Sequence, residues 1–255
     1  MKFIICFLTL LLNYAHGFNL NGSALATYGD PTIFIHVGDN QCANFTDSPE
    51  DIMDMVRVAM DQYWNTVSTS ELELKAGSIK NVAASFYTDQ ICSPAVGCVP
   101  AVDSGILIVC NSNGSTFSSA GILAVALPNN VSGATINGCV IGLNSIASSK
   151  FITSSRESKI STLAHEIGHC IGLGHPEHQD SLMYQSTIGK RFKLGRDDWD
   201  GATFLYPKDQ GPAGFCGTIY DINSGSNGQN GPFLASLALL TLIFLIINTK
   251  VYKFA

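Results

Sequence analysis

"HEIGHCIGLGHPEHQDSLMY", residues 165–184, holds four of the chain's six histidines, with two glutamates and three glycines. A solvated helix face gives no reason for that spacing. Helical residues four apart share a face, so His165 and His169 can bind one ion through two imidazoles. Glu166 lies beside the first and can take a proton from an activated water without being a ligand. Gly172 lets the backbone turn sharply without a Cβ clash, which brings His175 round as third ligand. Three histidines leave a fourth position for water, as a catalytic zinc requires. The spacing predicts one Zn2+ held by His165, His169 and His175, with Glu166 as general base.

The helix that carries the first two histidines is "SKISTLAHEIGHCIGLG", and Gly172 and Gly174 mark its end. Upstream, "TIFIHV" (residues 32–37) is β-rich and reads as a first strand. In "SPEDIMDMVRVAMDQYWNTV" Ser48 caps a helix, Pro49 suits its first turn, and Glu50 and Asp51 suit its positive end. Ile52, Met55, Val56, Ala59, Met60 and Tyr63 then recur at helical spacing. Five short strand-like runs follow: "ELELKAG", "VAASFYT", "GILIVCN", "GILAVALP" and "GCVIGLN". "RDDWDGATFLYP" makes a last, shorter helix. The order of elements is that of an α+β protein.

"HEIGHCIGLGH" followed by "SLMY" resembles the metzincin zinc metalloproteases. The later "LGRDDWDGATFLYP" is similar to the matrixin branch, the catalytic domain of the matrix metalloproteinases. The resemblance implies a zincin-like fold: a twisted mixed sheet with two long helices over a smaller irregular C-terminal subdomain with one helix. It implies a zinc-dependent endopeptidase that hydrolyses peptide bonds with a metal-activated water. Met183 would form a turn beneath the metal, a hydrophobic base and not a fourth ligand. Asp197 and Asp198 would tie the last helix to the rest of the domain, although plain N-terminal helix charge also accounts for Asp197. "GILAVALP", with Gly121, Ile122, Leu123 and Ala124, would be the sheet edge that pairs with an extended substrate, since a free edge binds peptide backbone by strand addition.

The chain departs from the matrixin pattern in several places. Pro176 follows the third histidine, where matrixins have serine. Val125 stands where matrixins have one histidine of a structural zinc, and in the mature chain only His36 and His178 remain outside the motif. The expectation is one zinc, with the structural zinc absent. No cysteine-switch segment precedes the domain, and no calcium loop is evident. Asp30 in "TYGDP" could cap the zinc, but Gly, Asp and Pro are turn formers, and a turn before the first strand is the plainer reading. His36 reads as a structural strand residue, His178 as a loop side chain, and Cys170 as a disulfide partner or core thiol. The alternative to an enzyme is a catalytically inactive, zinc-stabilised surface adhesion or decoy protein.

The ends of the 255-residue chain speak for export. Lys2, an apolar run at residues 3–12 and Ala15-His16-Gly17 read as a signal peptide, residues 1–17, with a mature start at Phe18. One catalytic domain spans residues 18–210 and a small, polar linker residues 211–231. The tail at residues 232–255 carries an apolar run, residues 233–247. It reads either as a GPI-attachment signal, with an acceptor between Asn223 and Ser226, or as a single-pass anchor with Lys250 and Lys253 on the cytoplasmic side. The chain would be secreted or held on the extracellular face of the plasma membrane by this tail. In an oxidising compartment most cysteines pair. Cys92 and Cys98 bracket "CSPAVGC" and are the clearest pair; the seven cysteines left after signal removal are an odd number, so at least one is free, modified or paired to another molecule. Asn21, Asn44, Asn113 and Asn130 are glycosylation sequons. A formal charge of −6 and no Lys/Arg cluster speak against a nucleic-acid partner and leave protein or peptide substrates.

Overall fold

Alternation decides the first strands. Ile33, Ile35 and Val37 are buried while Phe34 between them is exposed, the period of a strand packed on one face. The computed structural model describes residues 17–21, 25–40, 42–186 and 191–209. Strands β1 (Thr27–Tyr28) and β2 (Thr32–Gly38) lead into helix α1 (Pro49–Gln62). The cap is reciprocal: the Ser48 side chain accepts from the Asp51 amide, and the Asp51 carboxylate accepts from the Ser48 amide. Ile52, Met53, Met55, Val56, Ala59 and Met60 form its buried face. A 3-10 turn (Trp64–Thr66) and strand β3 (Glu73–Lys80) follow.

"VAASFYT" does not form the expected strand. It forms a short helix, α2 (Ser85–Thr88), because the Phe86 and Tyr87 amides donate to the Ala83 and Ala84 carbonyls. Phe86 is thereby turned into a small core with Val99, Val102, Leu107, Val109 and Val140. Strands β4 (Gly105–Asn111), β5 (Ala124–Ser132) and β6 (Thr135–Asn144) complete the sheet. Helix α3 (Arg156–Cys170) is capped by Ser155, whose side chain accepts from the Ser158 amide, and helix α4 (Arg196–Leu205) comes last.

Strands β3, β2, β4 and β6 lie side by side and parallel. β1 adds parallel to the start of β6, at Thr135 and Ile136, and β5 runs antiparallel along β6. The result is a mixed α/β fold with a largely parallel sheet. In β4, Ile106 and Ile108 face the main core with Met55, Trp64, Leu163 and Ile167, while Leu107 and Val109 face the small core. Burial on both faces explains why β4 reads as an unbroken apolar run. Among the described residues β5 pairs with β6 alone, so its second edge is open.

Of Gly121, Ile122, Leu123 and Ala124, expected in that edge strand, only Ala124 lies in β5. The other three lead into it. The Ile122 amide donates back to Ser119, and the Asn144 side chain and amide donate to the Ile122 and Leu123 carbonyls. These bonds hold the lead-in without ladder pairing.

Cys42–Cys110, Cys92–Cys98 and Cys139–Cys170 are disulfide-bonded. The second is the pair expected from sequence. The third joins β6 to the last residue of α3, beside His169. Cys6 and Cys216 lie outside the described residues, as do the linker, the tail and all of the signal segment except Gly17. No helix among the described residues is long and apolar enough to cross a membrane.

Candidate metal centre

Helix α3 presents His165 and His169 one turn apart, and the chain then reverses. The Leu173 amide closes the helix on Gly168, and Gly172 takes φ +110, a region that side chains disfavour. A Cβ on Gly172 would also sit 2.7 Å from the Ala26 carbonyl. The reversal carries His175 back to the other two rings. The Nε2 atoms of His165 and His169 are 3.2 Å apart, those of His165 and His175 3.3 Å, and those of His169 and His175 3.0 Å. Imidazoles about 2.05 Å from a tetrahedral zinc have nitrogens about 3.3 Å apart.

The outer nitrogens are committed as donors. His165 Nδ1 donates to the Leu182 carbonyl and His169 Nδ1 to the Leu173 carbonyl, each at 2.8 Å. Both rings therefore keep an Nε2 lone pair toward the centre. Converging lone pairs at this distance repel one another unless a cation lies among them, so the donor set fits a zinc ion. His165, His169 and His175 form a group that could hold a metal.

Burial pushes the His165 imidazole down to about 4, with the Leu182 carbonyl opposing and His175 and Arg191 adding to the effect. Burial likewise pushes His169 down to about 3, and lowers His175 as well. Protons compete with zinc for these nitrogens, and here the proton is the disfavoured partner. Zinc is expected to stay bound as the pH falls through 6.5, the ordinary imidazole value. Zinc released to a colorimetric indicator across a pH series measures this, and release centred at or above 6.5 would contradict it.

Glu166 is buried and has no hydrogen-bond partner among the described residues. Loss of solvent lifts its carboxyl to about 8. It lines a cleft of about 430 Å³ with the three histidines, the lead-in to β5 and the segment after Met183. Met183 is buried beneath the histidines' helix: a Cβ on Gly168 would meet its sulfur at 2.2 Å and Trp64 at 2.7 Å. Trp64 is fixed in turn by a 2.8 Å bond from Nε1 to the Ala164 carbonyl.

Asp198 ties α4 to this base. Its carboxylate accepts from the Ser181 hydroxyl and from the amides of Leu182, Met183 and Gly195. Asp197 is buried too, but its Oδ2 has no partner among the described residues. Asp30 takes the turn role, its Oδ1 accepting from the Thr32 amide at 2.8 Å, and it lines a separate cavity with His36. His36 accepts from the Ser78 amide, His178 lies 3.8 Å from Asp180, and Val125 sits in β5 opposite Gly142. Each sequon asparagine donates its side-chain amide to a backbone carbonyl: Asn21 to His169, Asn44 to Ser145, Asn113 to Thr88 and Asn130 to Val102.

Sequence reasoning missed two supports. Asn19 donates to the His175 carbonyl at 2.7 Å, and Leu20 bridges to Leu173, so the N-terminal segment braces the loop of the third histidine. "FNLN" alternates apolar and polar residues, a strand signal that could have found this. Tyr206, after α4, donates to the Ile171 carbonyl and accepts from the Tyr28 amide. Arg191 in the cleft wall was missed as well.

A three-histidine centre with an adjacent buried carboxyl, in a cleft beside an open sheet edge, defines the metalloprotease class. The matrixin family model matches residues 54–207, and the chain belongs to this family of zinc metalloendopeptidases. It is 48% identical over 48 residues to Metalloendoproteinase 2-MMP of Arabidopsis thaliana, covering 18% of this chain and 13% of that protein. It is 44% identical over 54 residues to Stromelysin-1 of Rattus norvegicus and 42% over 52 residues to Matrix metalloproteinase-18 of Xenopus laevis, in each case 19% of this chain and 11% of the relative. These matches span about an eighth of the relatives' lengths or less. Matrixins are typically extracellular, and three disulfides are consistent with an oxidising compartment.

Proposed function

We propose that this chain is a zinc-dependent endopeptidase of the cell surface or extracellular space. The observation that carries the reading is the convergence of three Nε2 atoms with an unpaired, buried Glu166 in one open cleft. His165, His169 and His175 would hold the ion. When bound, zinc supplies a Lewis acid that polarises a carbonyl and acidifies water. The open edge of β5 offers backbone groups to an extended peptide, which sets the scissile bond beside the histidines. Glu166 takes the proton from the attacking water and delivers it to the leaving amine. Met183 and Leu182 form the floor that keeps the imidazoles in place. One zinc, and no second structural zinc, belongs to this proposal. So do a catalytic domain at residues 18–210, glycans on the sequons, and attachment through residues 232–255 by a GPI anchor or a single span.

An inactive adhesion or decoy protein would need the zinc but not Glu166. A carboxyl this little exposed, with no protein partner, costs stability, and a binding role gives no reason to keep it. The test is cleavage of an unfolded protein by the full chain made in a secretory host, with and without a chelator. Cleavage that the chelator abolishes and zinc restores is expected. A folded, zinc-loaded chain that cuts nothing would return the adhesion reading.

A further inference from the structure

The sequence between Met183 and α4 does not reveal the chemistry of the cleft's side wall. Arg191 supplies it. Its backbone carbonyl accepts from the Tyr63 hydroxyl at 3.1 Å and the Ser161 hydroxyl at 2.9 Å, which pins it to the end of α1 and to α3. Its side chain is held as firmly. Nε donates to the Gln179 carbonyl, and Nη1 donates to the carbonyls of Tyr184 and Ser186. The Tyr184 ring centre lies 5.1 Å from the guanidinium carbon.

All of these partners are neutral. They orient the cation without cancelling its charge. No carboxylate among the described residues lies within ion-pair distance of Arg191, and Asp198 and Asp180 act on it only from farther off. Nη2 is buried and has no acceptor. A buried donor atom left without an acceptor costs stability, although the residue as a whole is only partly buried. Apart from Glu166 and the histidines, Arg191 is the one charged side chain among the described residues that lines the cleft.

We propose that Arg191 sets side-chain specificity, and that the cleft selects peptides placing an aspartate or glutamate against it beside the bond to be cut. This rests on the peptidase reading above. An acidic side chain brings the countercharge that the fold omits. The guanidinium is already oriented, so little ordering is needed on binding. An apolar side chain leaves the cation unpaired, and a basic one is repelled. Sites built around a polar partner discriminate strongly against analogues that lack it. A rival role for Arg191 is only to staple residues 179–186, in which case it affects stability and not preference.

The test uses the zinc-loaded full chain and peptides that differ only in carrying Asp, Glu, Gln, Leu or Lys on either side of the cut bond. At one of the two positions, kcat/KM is expected to be at least ~10-fold higher for Asp or Glu than for Leu, and lowest for Lys. Arg191→Gln keeps amide donors for the carbonyls and removes the charge. It should bring the ratio close to one while a thermal melt reports that the fold survives. Arg191→Lys, which keeps the charge, should retain part of the preference. A second arm measures binding of labelled Glu and Leu peptides to zinc-loaded Glu166→Gln, which needs no turnover. Wild type cutting Leu peptides as fast as Glu peptides, or an acidic preference unchanged in Arg191→Gln, overturns the inference and leaves the peptidase reading intact. No cleavage, but Arg191-dependent binding of the Glu peptide, sinks the peptidase reading and supports acidic recognition. No cleavage and no binding preference sinks both.

Discussion

Glu166→Gln is expected to lose ~10²–10⁴-fold in peptide cleavage, the usual worth of a general base, while making the metal-free protein more stable at neutral pH. The two effects have one cause. Glu166 is buried without a hydrogen bond, and its carboxyl is lifted from 4.5 to about 8. A raised carboxyl favours the neutral form in the folded state. Its contribution is therefore intact below pH 4.5 and lost as the pH rises toward 8, because the unfolded chain ionises first. Glutamine mimics the neutral form and does not titrate. In a chelated sample, the melting temperatures of Glu166→Gln and wild type should coincide near pH 4, diverge in favour of the variant as pH rises, and run parallel above about 8. The gap corresponds to at most about 5 kcal/mol. Zinc should narrow it, since a nearby cation favours the carboxylate. A gap that fails to open with pH would mean that Glu166 is solvated and poorly placed as a base.

The metal site is legible in sequence because most of it is local. Four-residue spacing on one helix sets two ligands, and a glycine at the helix end brings the third within ten residues of the first. The cap at Ser48 and the alternation in β2 are equally local. What escapes is long-range. Asn19 braces His175 across 156 residues, and the alternation in "FNLN" signals a strand without saying which distant loop it meets. Gly168 looks like one more glycine until Trp64 and Met183 are seen against it. Arg191 sits in a loop whose sequence shows no period, and its role follows only from the carbonyls that aim it. Two errors share a source. "VAASFYT" and the start of "GILAVALP" have strand-like composition, but side-chain and turn hydrogen bonds claim their backbones before a neighbouring strand can.

Asp198→Ala is expected to be among the most destabilising changes in the domain, at ~3–5 kcal/mol, and to weaken zinc binding although Asp198 touches no ligand. Its carboxylate accepts from the Ser181 hydroxyl at 2.5 Å and from the amides of Leu182 at 2.6 Å, Gly195 at 2.7 Å and Met183 at 3.1 Å. At 1% exposure, no water can replace it. Alanine leaves the Leu182 and Gly195 amides and the Ser181 hydroxyl without an acceptor, the Met183 amide keeps only the Ser181 oxygen, and α4 loses its tie to the turn. The peptide group between Leu182 and Met183 links this to the metal: its amide, that of Met183, donates to Asp198 and its carbonyl, that of Leu182, accepts from His165 Nδ1. Freed at one end, it orients His165 less well, and losses of ~10–100-fold in metal affinity are usual when such a support is removed. Asp198→Asn should fall between. Its remaining oxygen can serve Leu182 and Gly195, and the Ser181 hydroxyl can turn to accept from the new amide, so only the Met183 amide faces a donor. Urea unfolding of the chelated proteins, beside zinc competition with an indicator, measures both effects. An alanine variant within ~1 kcal/mol of wild type would mean that α4 and the Met183 turn are held by packing alone. Equal zinc affinity in all three proteins would show that His165 needs no support through Leu182.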